Sequence, residues 1–181
     1  MEHSFKISFC GIMTALALVC MFIAPLFPGM VYTFAMISGL CISISAEEVG
    51  MKYAFSVYIA ASLLALLLIP DKETAVVFIT VFGFYPIGKN LIEKNKTHLF
   101  TREFFQKLIK FLLINISCIV YFMITIYFLG VPKESFMIGE LYLPGVILIA
   151  GDFLCMTYDK AIDNLVNLYK IKFRKKIFRK W

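Results

Sequence analysis

The sequence predicts an all-α integral membrane protein: a bundle of six transmembrane helices followed by a basic juxtamembrane helix at the C-terminus. Composition is the first reason, because 61% of the residues are hydrophobic and 17% are charged. Soluble domains average about 45–50% apolar and about 25% charged residues. The second reason is that the chain contains six apolar stretches near the ~20 residues that a helix needs to cross a bilayer. Each span is expected to be helical, since a lone strand cannot satisfy its backbone hydrogen bonds in lipid.

The third reason is the distribution of the basic residues. When the six stretches are threaded through a membrane, sixteen of the eighteen Lys and Arg residues fall on one face, and only Lys72 and Lys133 fall on the other. Lys and Arg accumulate in cytoplasmic loops, because moving them across the membrane is unfavourable. The sequence therefore predicts a multi-pass protein of the cell membrane with the N- and C-termini in the cytoplasm.

Turn and charge signals separate the spans. Pro and Gly residues at 25–29 end the first span, two acids at 47–48 close the second, and the polar loop 70–73 follows the third. The basic segment 89–110 is the main cytoplasmic loop, and 130–135 is the last external turn. The six predicted spans are residues 8–26, 30–46, 50–69, 74–92, 108–129 and 136–158.

Two further patterns concern the later helices. Pro86 should kink span four, because it cannot donate a backbone hydrogen bond to the preceding turn. Leu165 and Leu168 keep a helical period beyond span six, so that helix should continue past the headgroups. The chain is thus divided into a six-span membrane domain (1–169) and a basic-aromatic cytoplasmic tail (170–181).

The tail carries seven basic residues among aromatic and aliphatic ones. Such a segment can contact nucleic acid, but next to a membrane domain the simpler partner is the anionic headgroups of the lipid bilayer. Each basic residue near the surface contributes about 1 kcal/mol to that attraction. A protein partner is the alternative, and no nucleic acid is expected.

Polar residues inside the spans are the candidates for a ligand site, because they are costly at membrane depth. Glu140, beside Tyr142 near the outer end of span six, either reaches the headgroups or faces a ligand in an outward-open pocket. Asn115, midway along span five, either bonds a neighbouring helix or offers a hydrogen bond to a substrate. The three residues form the predicted substrate-binding set.

Asp152 is the deepest acid of span six. It shares a helical face with Asp159 and Asp163, since the separations are seven and four residues. That face could meet a basic partner such as Lys89 or Lys52 and form a structural ion pair. The alternative for Asp152 is a coupling or proton-handling role.

Gly11 and Ala15 form a small-x-x-x-small pair in the inner half of span one, a spacing that lets another helix approach closely. The pair serves either packing inside the bundle or the interface with a partner helix.

Nothing in the chain predicts an enzyme, a metal site or a cofactor. Two acids without a nearby base, nucleophile or metal ligands do not form a catalytic set. No phosphate-binding loop, HExxH motif or nucleophile elbow is present. The five cysteines lie singly in apolar runs, as packing residues do.

The chain resembles the substrate-binding S components of energy-coupling factor transporters. Segment 6–17 is similar to the family's first helix, in which small residues spaced by three contact a transmembrane coupling subunit. By this resemblance they correspond to Gly11 and Ala15. Segment 48–54 lies where the family often has a Gly-rich turn. The chain also resembles small multi-pass membrane proteins of low-GC Gram-positive bacteria.

The resemblance implies a module that binds a small, vitamin-like nutrient in its outer half, with Glu140, Tyr142 and Asn115 as candidate liners. A separate coupling subunit and ATPases would then drive uptake. The main alternative is a membrane scaffold or regulator without a ligand, and a small membrane-embedded enzyme is the third hypothesis.

Overall fold

The computed structural model describes residues 3–27, 29–94, 103–128, 130, 137–138, 141–142 and 144–174, and the statements about structure below refer to them. Long helices dominate this part of the chain. In order, the elements are α1 (His3–Ile23), a 3-10 turn (Ala24–Leu26), α2 (Val31–Glu48), α3 (Met51–Leu68), α4 (Lys72–Val77), a π-helical segment (Phe78–Phe82), α5 (Phe84–Lys94), α6 (Glu103–Tyr127), β1 (Met137–Ile138), β2 (Leu141–Tyr142), α7 (Pro144–Leu168) and a π-helical turn (Tyr169–Arg174).

Four helices are long and apolar enough to cross a membrane: His3–Leu26, Met51–Leu68, Lys72–Glu93 and Gln106–Tyr127. The predicted all-helical fold is confirmed, and these four helices are compatible with the predicted membrane protein. The sequences of α2 and α7 are more polar, since α2 is rich in serine and ends in two glutamates, while α7 contains three aspartates. Six spans therefore stay a prediction.

Contacts between helix ends show that successive helices along the chain alternate in direction. One end of the bundle joins the starts of α1, α3 and α6 to the ends of α2, α5 and the chain after α7; we call it the basic end. The other, which we call the Glu73 end, joins the starts of α2 and α4 to the end of α6. At the basic end the contacts are Lys6 with the Tyr53 ring, Glu47 with Lys170 and Glu93 with Lys110.

The helix from α4 to α5 is the centre of the bundle. In its apolar window 78% of the residues are buried, against 17–28% in the other three membrane-compatible helices. Those three expose large apolar side chains such as Leu16, Leu67 and Ile119. An exposed apolar surface of this extent is suited to lipid or to another protein.

Pro86 explains how the central helix is interrupted. Proline has no N–H to donate to the carbonyl four residues earlier, which is that of Phe82. The hydroxyl of Tyr158 on α7 donates to this carbonyl at 3.2 Å instead. Tyr158 can approach because Gly39 on α2 has no side chain; a Cβ there would overlap the Tyr158 hydroxyl and the Phe82 carbonyl.

The π-helical segment precedes the proline. The amide of Gly83 donates to the carbonyl of Phe78, five residues back, at 2.6 Å. The carbonyl of Ile79 accepts the hydroxyl of Tyr58 on α3 at 2.8 Å. The central helix is therefore irregular just before Pro86, and the kink predicted there stays a prediction. The carbonyls of Ile79 and Phe82 are satisfied by tyrosines of two other helices, as a low-dielectric interior requires.

The last helix begins later than predicted. Span six was expected from residue 136, but Met137–Ile138 and Leu141–Tyr142 pair as antiparallel strands, and α7 begins at Pro144. Proline is favoured in the first turn of a helix, where its missing N–H costs nothing. At the other end, helical structure runs on to Arg174, which confirms the predicted extension. Residues 175–181 of the tail lie outside the described residues.

Candidate functional site

Two polar centres lie at opposite ends of the central helix. One surrounds Glu73 in the first turn of α4, and the other surrounds Lys89 in α5. The two residues are sixteen positions apart, or about 24 Å at a rise of ~1.5 Å per residue. Since the hydrocarbon core of a bilayer is about 30 Å thick, the separation is compatible with centres near opposite membrane faces.

Asp71 fixes the start of α4 and hence the position of Glu73. Its carboxylate accepts the backbone N–H groups of Glu73 at 3.1 Å and Thr74 at 3.2 Å. The Thr74 hydroxyl also bonds to it. Because Asp is among the preferred N-cap residues, the sequence itself sets where the helix begins.

Glu73 is the point at which three helices converge. Its Oε1 atom accepts hydrogen bonds from the hydroxyls of Tyr32 on α2, at 3.2 Å, and Tyr121 on α6, at 3.1 Å. The two hydroxyl oxygens are 3.5 Å apart. The arrangement is a carboxylate flanked by two tyrosine side chains at one end of the bundle, and 42% of the Tyr32 surface is exposed.

The neighbouring lysine does not neutralise this carboxylate. The Nζ atom of Lys72 donates to the carbonyls of Leu66, at 2.7 Å, and Ile69, at 2.9 Å, at the end of α3. A cation at a helix C-terminus is favourable because it meets the negative end of the helix dipole. Among the described residues, no basic side chain forms an ion pair with Glu73.

At the basic end, by contrast, a buried lysine is fully compensated. Lys89 has a side chain that is 3% exposed, and its Nζ atom lies 2.7 Å from a carboxylate oxygen of Asp159 and 2.7 Å from one of Asp163. The Tyr85 hydroxyl donates to Asp159 at 2.7 Å. Lys110 lies 3.5 Å from the other carboxylate oxygen of Asp159.

These contacts join α5 and α6 to α7. The aspartate face predicted on span six thus meets Lys89, through Asp159 and Asp163. The side chain of Asp152 lies outside the described residues, so its predicted ion pair or coupling role stays a prediction. A buried charge that has its counter-ions is a structural feature first, and we assign this cluster the role of fastening α7 to the bundle.

The predicted substrate-binding residues are only partly described. Glu140 and the side chain of Tyr142 lie outside the described residues, although the Tyr142 backbone belongs to β2. Asn115 is half-buried on α6 and donates to the carbonyl of Phe111, in its own helix, at 3.0 Å. The predicted substrate-binding set therefore stays a prediction.

Gly11 and Ala15 are both exposed on α1. A Cβ atom built on Gly11 meets nothing within 4 Å. Packing inside the bundle, one of the two predicted roles, does not fit this position. Both small residues face away from the bundle.

An apolar groove of about 360 Å³ lies between α2 and the last turns of the chain. Its wall includes the apolar side chains of Leu40, Ile44 and Leu165, together with Tyr169 and Lys172. Among the described residues, no three His, Cys, Asp or Glu side chains are grouped to hold a metal ion.

Sequence reasoning placed residues 70–73 in an external turn and missed the site that Glu73 forms. The available signal was an acid in the outer loop together with a tyrosine near the outer end of span two and another within span five. Comparison with known proteins adds nothing further: no protein-family model, curated protein or solved structure matches the chain.

Proposed function

We propose that this chain is a six-span substrate-binding module of the cell membrane, of the kind found in the S components of energy-coupling factor transporters. It takes up a small nutrient at the Glu73 end, which faces outside, and passes it inward with the help of a separate coupling subunit and ATPases. The chain itself carries no catalytic step and needs no cofactor.

The convergence of Tyr32, Glu73 and Tyr121 is the observation that carries this proposal. Ligand sites combine an apolar surround with a few polar groups that converge from different elements. Here the polar groups come from α2, α4 and α6, at the end that the distribution of basic residues predicts to be external. Asn115 lies about 9 Å further into the membrane than Tyr121 on α6, at a rise of ~1.5 Å per residue, and Glu140 and Tyr142 belong to the segment that enters α7.

The outward face of α1 supports the second half of the proposal. Gly11 and Ala15 expose a low-relief surface on a membrane-compatible helix, and small residues let a partner helix approach closely. A coupling subunit would dock there. The basic tail would meanwhile hold the cytoplasmic side to anionic lipid.

Affinity purification from native membranes tests the proposal. The chain should recover a multi-pass coupling subunit and ATPases, together with a retained small molecule, when the eluate is examined by mass spectrometry. The scaffold alternative predicts protein partners without ATPases and without a retained ligand. Recovery of the chain alone, under conditions in which other membrane complexes stay intact, would remove the support for a transporter module.

A further inference from the structure

We infer that the Glu73 end recognises a positively charged nitrogen, either a protonated amine or a quaternary ammonium group, with Glu73 as its counter-ion and Tyr32 and Tyr121 beside it. The inference deepens the proposed function by naming the substrate class, and it rests on that function for the arrival of the ligand from outside.

The charge distribution at this end is the first argument. Asp71 caps α4, and Lys72 is directed to the carbonyl end of α3. Glu73 is therefore left without a basic partner among the described residues, whereas at the basic end Lys89 has two carboxylates within 2.7 Å. Two tyrosine hydroxyls hold the carboxylate in position but supply no positive charge.

The chemistry of the three side chains is the second argument. Both tyrosine hydroxyls bond to Oε1, and among the described residues nothing bonds to Oε2. An ammonium group is attracted both by a carboxylate and by the faces of aromatic rings. Divalent cations prefer a larger set of oxygen ligands, with several carboxylates. One carboxylate between two neutral phenols suits an organic cation better.

Accessibility is the third argument. Tyr32 is 42% exposed, and Glu73 is half-buried at the start of the central helix. A ligand can therefore reach the carboxylate without opening the core. Two sources share the required chemistry: a free amine in solution, or the ammonium group of a lipid headgroup such as phosphatidylethanolamine.

Equilibrium dialysis with radiolabelled methylammonium and tetramethylammonium tests the inference on the full chain in a maltoside detergent, which carries no ammonium group. Glu73→Gln keeps an acceptor oxygen for the tyrosines but removes the charge, and it should weaken saturable binding by about tenfold or more. Glu93→Gln, at the basic end, is the matched control and should bind as the unmodified protein does. Size-exclusion chromatography checks that each variant is folded. If Glu73→Gln does not fold, Tyr32→Ala replaces it, since Tyr32 lies at the surface.

Competition then identifies the source. Added phosphatidylethanolamine should displace methylammonium if a headgroup occupies the site, and should leave binding unchanged if the ligand is a free solute; phosphatidylglycerol is the lipid control. Equal binding by the unmodified protein and Glu73→Gln would overturn the inference, as would saturable binding of Ca²⁺ without binding of either ammonium ion. Because the assay uses this chain alone, a missing coupling subunit cannot cause a negative result, so failure here is distinct from failure of the proposed function.

Discussion

Gly39 lies where α2, the central helix and α7 meet. The Tyr158 hydroxyl donates to the carbonyls of Met36, at 3.3 Å, and Phe82, at 3.2 Å, across this glycine. The missing side chain at position 39 is therefore what allows α7 to satisfy the carbonyl that Pro86 leaves without its helical donor. The absence of a side chain at Gly39 therefore links the irregular backbone before Pro86 to the packing of α2, the central helix and α7.

Gly39→Ala should accordingly destabilise the protein, by about 1–3 kcal/mol as overpacked core substitutions typically do. The measurement is the midpoint of thermal unfolding in detergent. Gly151→Ala on α7 is the control, because a Cβ there makes an ordinary contact of 3.5 Å with the Cys118 sulfur. That variant should be neutral or slightly stabilising, since alanine favours a helix more than glycine does. Equal midpoints for the two variants would show that the approach at Gly39 is not tight.

Lys89 is the second residue at which we expect a substitution to change the stability of the protein strongly. Removing one member of a buried ion pair leaves the remaining charges without compensation, which is strongly destabilising. Lys89→Met leaves Asp159 and Asp163 facing an apolar side chain. We expect a loss of roughly 3 kcal/mol, the low end of the range for buried pairs, because Asp163 is 55% exposed.

The control for this variant is Lys170→Met. Lys170 pairs with Glu47 at 2.7 Å, but both side chains are about one-third exposed, at 37% and 32%. Exposed pairs contribute roughly 0–1 kcal/mol, so chemical unfolding should hardly change. A Lys89→Met protein as stable as Lys170→Met would contradict the fastening role given to the cluster.

At the scale of elements, α1 is the helix whose surface is least explained by the bundle itself. Its buried residues, Phe9, Thr14, Ala17 and Met21, face α2 and α3. The Gly11 and Ala15 side is turned away from them. An apolar helix with small residues on its outer side is suited to close contact with another membrane helix.

The double substitution Gly11→Leu and Ala15→Leu tests that surface. Since Gly11 meets no neighbour within 4 Å of a built Cβ, the bulky side chains should leave the thermal midpoint unchanged. They should abolish co-purification of a coupling subunit. Ile12→Ala with Leu16→Ala, also at exposed positions of α1, is the control for a change of outward surface that adds no bulk.

Two outcomes would contradict the docking role. A lower thermal midpoint for the double variant would show that Gly11 and Ala15 pack inside the bundle. Undiminished recovery of the coupling subunit would show that the interface lies elsewhere. The measured quantities are the thermal midpoint and the ratio of coupling subunit to this chain in the eluate.

For the whole molecule, the elements that sequence reasoning predicted are those that local patterns determine. Apolar stretches of sufficient length produced α1, α3 and α6, and a helical period beyond residue 158 predicted the extension of α7. Asp159 and Asp163 were expected to meet a basic partner, Lys89 or Lys52, because buried charges require counter-ions, and the partner is Lys89. Each of these inferences needs only the residues of one segment or the rule that charge is compensated.

The candidate site needed information that no segment contains. Glu73 is separated by 41 residues from Tyr32 and by 48 from Tyr121, so only the arrangement of the helices brings them together. The start of α7 at Pro144 was missed because residues 136–143 are apolar enough to look like part of a span. The π-segment was missed because hydropathy does not record which backbone carbonyl pairs with which amide.

The central claim is that six helices cross the membrane and place Glu73 outside and the Lys89 cluster near the inside. The helices α2 and α7 are the critical ones for this claim, because they are not among the four helices that are long and apolar enough to cross a membrane. Single cysteines, introduced into a chain lacking the five native ones, can be labelled with a membrane-impermeant maleimide in intact cells. The positions are 27, 72 and 133 for the expected outer face, and 48, 96 and 181 for the expected inner face.

We predict that the three outer positions react in intact cells and that the three inner positions react only after the membrane is permeabilised. Positions 27 and 48 lie on either side of α2, and positions 133 and 181 lie on either side of α7. If both helices cross the membrane, only one position of each pair should react in intact cells. Labelling of position 96 in intact cells, or the same accessibility for both members of either pair, would contradict the six-span arrangement and with it the outward-facing site.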